Sequence, residues 1–195
     1  MASRLVNRVY RVQWSDFQRQ PPPNATEDAH IETTAKLNYG YSTGSYGARL
    51  ADTVTVTIQL LGPKSWAKKQ RIQSWPKQDR DDLLKHEQGH YDITALMGRD
   101  MFIDLMAIKS QTFSSLNALK TEVNKIGGQY APQVIQDKYD AKQETNHGRN
   151  ATQQKMWNGY FQAAITRQRS PVVRAPDGAV YKVRLVDILK KAGKI

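Results

Sequence analysis

His86-Glu87-Gln88-Gly89-His90 places two of the chain's four histidines four positions apart, with a glutamate directly after the first. On a helix, positions i and i+4 share one face about a turn apart, so two imidazoles reach a single ion. In a strand the same positions would stand about 13 Å apart, so the chemistry requires a helix. Glu87, one residue further round, lies beside such an ion rather than on it, where its carboxylate can take a proton from water. Zinc lowers the pKa of its bound water to about 7. His86 and His90 are therefore candidate metal ligands and Glu87 the candidate general base. The competing reading is a buried histidine pair satisfied by neighbouring carboxylates.

A catalytic zinc takes three protein ligands and keeps one position open. The chain has no cysteine, so the third ligand must be His, Asp or Glu. His147, in Asn146-His147-Gly148 at the end of a helical stretch, is the leading candidate, with Asp140 and Glu144 as runners-up. Glu122 would suit a glutamate ligand on the following helix but lacks the expected surroundings, and no G-x-x-H follows His90. His30, in a strand without a partner pattern, reads as structural. Asp100, nearly three turns after His90, can orient an imidazole or pair with Arg99 or Lys109. Tyr91 and Tyr139 are candidate oxyanion donors, with a core tyrosine as the competing role for each.

The elements that must position these residues read as an α+β fold: a small antiparallel sheet followed by a helical half. Arg8–Trp14 alternates apolar and polar as a strand does, residues 30–42 suggest a second strand, and Thr53–Leu60 is the clearest, being rich in β-branched residues and stopped by Gly62-Pro63. A Gly-rich turn spans 43–52. After Pro76 a helix is expected over Gln78–Ile108, with Asp79, Asp81 and Asp82 favourable to its dipole. Leu83, His86, His90, Ile93, Met97, Met101 and Leu105 form its core-facing stripe. Another helix starts near Leu116 and breaks at Gly127-Gly128 and Pro132. Helical character resumes up to Asn146-His147-Gly148, and Ala151–Ile165 is a third helix, with Thr152 as its cap. The expected domain spans residues 1–169. Residues 170–195 form a basic extension, a hairpin around Pro176-Asp177-Gly178 plus a short helix.

The 195 residues suit one domain with an appendage, and an apolar content of 39% supports a core. No apolar run is long enough to cross a membrane, and the first residues carry no signal-peptide pattern. The net charge is +11, with eight Lys/Arg against two Asp between Thr166 and Ile195 and a second basic run from Lys64 to Arg71. Such charge serves solubility or an anionic partner; no nucleic-acid motif accompanies it.

Beyond the zinc motif, Leu83–Ile93 resembles the signature L-L-x-H-E-Q-G-H-F-D-I of the DUF922 family, a bacterial group expected to be secreted zinc-dependent proteases. "YRVQWSDFQRQPPP" resembles that family's opening W-x-D-F and Pro-rich turn, "GPKSW" its S-W element, and "ETNHGRNATQQKMW" its closing T-x-H-G, Gln and Trp. The resemblance covers Tyr10 to Ile165. It implies a zincin-like domain, His86 and His90 as zinc ligands, Glu87 as base, His147 in the position of a third ligand, and a secreted or periplasmic location. The spacing from Tyr139-Asp140 to His147 is longer than in the family pattern, and the tail from Ser170 lies outside it. The expected function is a zinc metallopeptidase acting on a peptide that adds as a strand beside Thr53–Leu60. The rivals are a zinc-stabilised binding protein whose site is closed by Asp140 or Glu144, a zinc amidase on cell-wall peptides, and a nucleic-acid binder.

Overall fold

The computed structural model describes residues 3–51, 53–166, 173–174, 180–181 and 184–195. Strands come first: β1 (Arg4–Val6), β2 (Ala29–His30), β3 (Thr33–Asn38), β4 (Tyr41–Gly44), β5 (Gly47–Leu50), β6 (Thr55–Leu60) and β7 (Trp66–Ala67). Helices follow: α1 (Lys69–Gln73), α2 (Lys77–Ala107), α3 (Leu116–Gln129), α4 (Gln133–Asp140) and α5 (Ala151–Thr166). A short pair, β8 (Val173–Arg174) and β9 (Val180–Tyr181), precedes α6 (Leu185–Lys191). Strands then helices make the chain α+β, as expected.

The main sheet has the order β1-β6-β3. β3 runs antiparallel to β6 from Thr33–Leu60 to Asn38–Thr55, but β1 runs parallel to β6. The sheet is thus mixed, not purely antiparallel. Its parallel edge is the chain's first strand, which reaches β6 only after a long excursion of the kind parallel pairing requires. The strand expected over Arg8–Trp14 does not form. Trp14–Asp16 is a 3-10 turn, with Asp16 Oδ2 accepting the Gln13 N–H at 2.8 Å, a local side-chain bond that competes with a ladder. Tyr10 and Val12 find their backbone partner in a side chain: Gln88 accepts the Val12 N–H (2.8 Å) and donates to the Tyr10 carbonyl (3.0 Å). The Gly-rich stretch expected as a turn is largely the β4–β5 hairpin, closed at Gly44–Gly47.

Period-two burial puts Val56 and Ile58 into the core while Thr55, Thr57 and Gln59 face outward. α2 lies against β3 and β6 and also meets α3, α5 and α6. From Gly89 to Met106 every residue except Asp92 and Asp104 is buried. The expected stripe is present, yet the later turns are enclosed all round because helices cover what the sheet does not. α3 runs through Gly127-Gly128 to Gln129 and is followed by its C-cap Tyr130, whose hydroxyl donates to Asp104 at 2.6 Å. α4 stops at Asp140 rather than near Asn146, because Ala141 is extended. The first turn of α5 is capped by Asn150, which accepts the Gln153 N–H at 3.2 Å, not by Thr152.

β8 and β9 pair antiparallel; the rest of the expected hairpin, and residues 167–172 before it, lie outside the described residues. α6 shares the main core: Leu185 and Leu189 are fully buried, and the Leu185 N–H donates to Asp100 Oδ2 at 3.1 Å. Among the described residues no helix is long and apolar enough to cross a membrane.

Candidate metal centre

α2 carries His86 and His90 one turn apart, with ring centroids 4.9 Å apart and rings nearly perpendicular. His86 Nδ1 lies 3.1 Å from Gln154 Oε1 on α5. The Gln154 Nε2 donates to the Tyr139 hydroxyl (2.6 Å) and to Asn158 Oδ1 (3.0 Å). With the amide in this orientation Oε1 accepts from Nδ1–H, the tautomer that leaves the Nε2 lone pair for an ion. Tyr139 stacks on His86 at 4.7 Å and its hydroxyl donates to the His86 carbonyl at 3.2 Å. This close approach depends on Gly89: a Cβ there would fall 2.2 Å from the Tyr139 hydroxyl.

Both Nε2 atoms converge on Asp140, each 3.0 Å from its Oδ1. Asp140 closes α4, where the helix dipole disfavours a negative charge. Burial works to raise the pKa of its carboxyl, but the two imidazoles hold it well below the usual carboxylate range. After α4 the chain folds back through a tightly bonded loop, with the Asn146 N–H on the Ala141 carbonyl and the Asn150 N–H on the Thr145 carbonyl. Asn146, His147 and Gly148 all take positive φ, 49°, 51° and 80°. A left-handed histidine costs about 1 kcal/mol or more. Here it brings the His147 ring to 6.4 Å from that of His86 and its Nδ1 to 3.7 Å from Asp140 Oδ1. Gly148 packs on His86, where a Cβ would stand 2.9 Å from the His86 Cβ.

His86, Asp140 and His147 each offer a ligand atom within 4.8 Å of the others. A tetrahedral zinc with bonds of about 2.0–2.2 Å holds its ligand atoms about 3.3–3.6 Å apart; His86 and His90 Nε2 stand at 3.0 Å from Asp140 Oδ1, a little inside that spacing, and His147 Nδ1 at 3.7 Å, a little outside it. Asp140 Oδ1, Glu87 Oε2 and His90 Nδ1 are buried without a hydrogen-bond partner. Such atoms are costly singly; Glu87 Oε2 and Asp140 Oδ1, grouped with the two Nε2 atoms, fit a divalent cation, whereas His90 Nδ1 lies on the other side of its ring. Glu87 is itself buried. Desolvation pushes its pKa up to about 7 against the opposing influence of His86, while Asp140 and Glu27 raise it and the Ile31 N–H lowers it. A carboxyl poised there can take and release a proton near neutral pH.

The other candidates fall elsewhere. Glu144 accepts from Trp157 Nε1 (3.0 Å) and Lys194 Nζ (2.6 Å), and Glu122 faces Lys125 at the surface. His30 lies near Glu32 and stacks on Trp66, outside the cluster. Asp100 is buried against Arg99 and touches no imidazole. The Tyr139 hydroxyl is engaged in its buried network, and Tyr91 donates to the Asn7 carbonyl; neither aims at the cluster. Sequence reasoning missed Gln154 as the His86 partner, for which the only signal was its place between His147 and Trp157.

No curated protein and no solved structure matches this chain. One family model does, over residues 11–148, described as a bacterial protein of unknown function (DUF922). That match begins ahead of the Gln88-bonded Val12, takes in α2 with both histidines, and ends just past His147. Covering well over half of the sequence, it means that the chain belongs to the DUF922 family.

Proposed function

We propose that this chain is a zinc-dependent metallopeptidase in which His86, His90 and Asp140 hold the ion, Glu87 is the general base and His147 faces the substrate. The observation that carries this reading is the placing of Glu87: a buried carboxyl with an unpartnered Oε2, set beside three converging donor atoms. Bound zinc supplies Lewis acidity towards the scissile carbonyl and acidifies the attacking water. Glu87 Oε2 receives the proton of that water and delivers it to the leaving nitrogen. Gln154 Oε1, 3.1 Å from His86 Nδ1, favours the Nδ1–H tautomer that an Nε2-bound ion requires. The His147 side chain, 35% exposed, offers a ring N–H to the carbonyl oxygen as negative charge develops there. Peptide addition beside β6 forms no part of the mechanism, since β6 is paired on both edges.

Glu87→Gln tests the reading. The variant keeps zinc and loses about 10²–10⁴-fold in peptide hydrolysis; turnover at the wild-type rate ends the mechanism. One observation favours a second reading: Asp140 and His147 both lie within ligand distance of His86, and four protein ligands would close the site of a zinc-stabilised binding protein. His147→Gln separates them, lowering turnover at constant zinc affinity in the peptidase and weakening zinc binding in the closed site. A panel of cell-wall peptides tests the amidase variant of the same chemistry.

A further inference from the structure

The basic run Lys64–Arg71 takes no part in the metal chemistry. In the fold, two of its cations join Arg149, which follows His147 by two residues, around the single carboxylate of Asp28. Arg149 Nη2 stands 3.0 Å from Asp28 Oδ2, while Arg71 Nη1 and Lys68 Nζ stand 3.3 and 3.9 Å from Oδ1. Asp28 is 6% exposed, whereas the Arg149 and Arg71 side chains are 53% and 61% exposed. Three cations share one carboxylate, so positive charge is left over. Lys68 is largely covered and donates to the Ala25 carbonyl at 2.8 Å. The surplus therefore resides on the two guanidiniums. Asp28 Oδ2 accepts a hydrogen bond from one Nη of Arg149, while Arg71 stands within ion-pair distance of Oδ1 without hydrogen-bonding it and lies over the Trp75 ring at 5.9 Å. A guanidinium fixed through one edge and open at the other is pre-organised for a second carboxylate.

Asp28, Trp75, His147 and Arg149 line one cavity of about 400 Å³, room for part of a peptide. A peptide at His147 thus meets Arg149 inside the same cavity. Asp79 and Asp82, from the start of α2, also line it, and Glu27 stands 4.0 Å from His147. These acids repel an anion, which therefore depends on direct pairing with Arg149. The geometry points to Arg149, supported by Arg71, as the specificity determinant: it takes a carboxylate of the bound peptide, from a free C-terminus or from an Asp/Glu side chain. The inference rests on the peptidase reading for calling that peptide a substrate; its binding claim is tested separately.

The test uses the Glu87→Gln protein in zinc-containing buffer, so that peptides bind without turnover. Fluorescence anisotropy compares three kinds of labelled peptide: neutral with a free C-terminus, amidated with one Glu scanned through every position, and amidated and neutral. At least one carboxylate peptide binds about tenfold tighter than the neutral amide, and which one does so identifies the source of the carboxylate. Arg149→Gln reduces the ratio towards one. Because that change strips a partner from buried Asp28, Asp28→Asn/Arg149→Gln is measured alongside and loses the preference as well. Equal affinities, no binding of any carboxylate peptide, or a preference that survives Arg71→Gln/Arg149→Gln overturns the inference. If zinc-loaded wild-type protein cleaves none of these peptides while Arg149-dependent binding persists, the peptidase reading fails and the carboxylate subsite stands.

Discussion

Replacing Gln154 with Leu removes the acceptor that holds the His86 proton on Nδ1, 3.1 Å away, from a site buried within α5's contact with α2. Without metal, His86 has an escape: it moves its proton to Nε2, which already lies 3.0 Å from Asp140 Oδ1. The Tyr139 hydroxyl loses the Gln154 donor but still donates to the His86 carbonyl. Metal-free stability therefore changes little beyond one lost buried hydrogen bond, about 1 kcal/mol. Metal binding suffers more, because the ring must return its proton to an Nδ1 that now has no partner. Loss of such an outer partner costs about 10–100-fold in metal affinity, or about 1.4–2.7 kcal/mol. Competition for zinc against a chromophoric chelator measures this directly. Gln154→Glu is the control: it keeps an acceptor at Nδ1 and binds zinc at least as tightly as the parent. A Gln154→Leu dissociation constant within about threefold of the parent would refute the tautomer argument.

Gly89→Ala drives a methyl to 2.2 Å from the Tyr139 hydroxyl; overpacking of about 1–3 kcal/mol outweighs a helix-propensity gain of at most about 1 kcal/mol, so urea unfolding shows net destabilisation. Burial pushes the Asp92 pKa up to about 6, with the Gln88 amide partly offsetting it. A carboxyl whose folded pKa exceeds its unfolded value of 3.8 destabilises the fold fully above about pH 6 and not at all below the unfolded pKa. Asp92→Asn, which keeps an acceptor for Gln88, therefore gains up to about 3 kcal/mol at pH 7 and nothing at about pH 3.5; equal gains at both pH values would contradict the burial argument. Lys194→Met leaves Glu144 without its 2.6 Å partner and lowers stability by about 1–3 kcal/mol, whereas a surface tail would show no change in midpoint.

What the sequence alone made legible is local. The i, i+4 spacing of His86 and His90, the acidic start of α2 and its apolar period located the helix and both imidazoles, because helical geometry ties neighbours in the chain to neighbours on a face. β6 was equally readable from its β-branched run. The alternation in Arg8–Trp14 was present too, but a strand needs a partner, and there the partner is the side chain of Gln88. Tertiary structure decided everything that joins distant segments. It brought Asp140 to within 3.0 Å of both histidines, placed His147 at the edge by three left-handed residues, assigned Gln154 to His86, and gathered Lys68, Arg71 and Arg149 on Asp28. No periodicity encodes these meetings. They follow from how α4, α5 and the loops pack once apolar faces are buried, and burial also moved Glu87 from an ordinary carboxylate to one that titrates near 7.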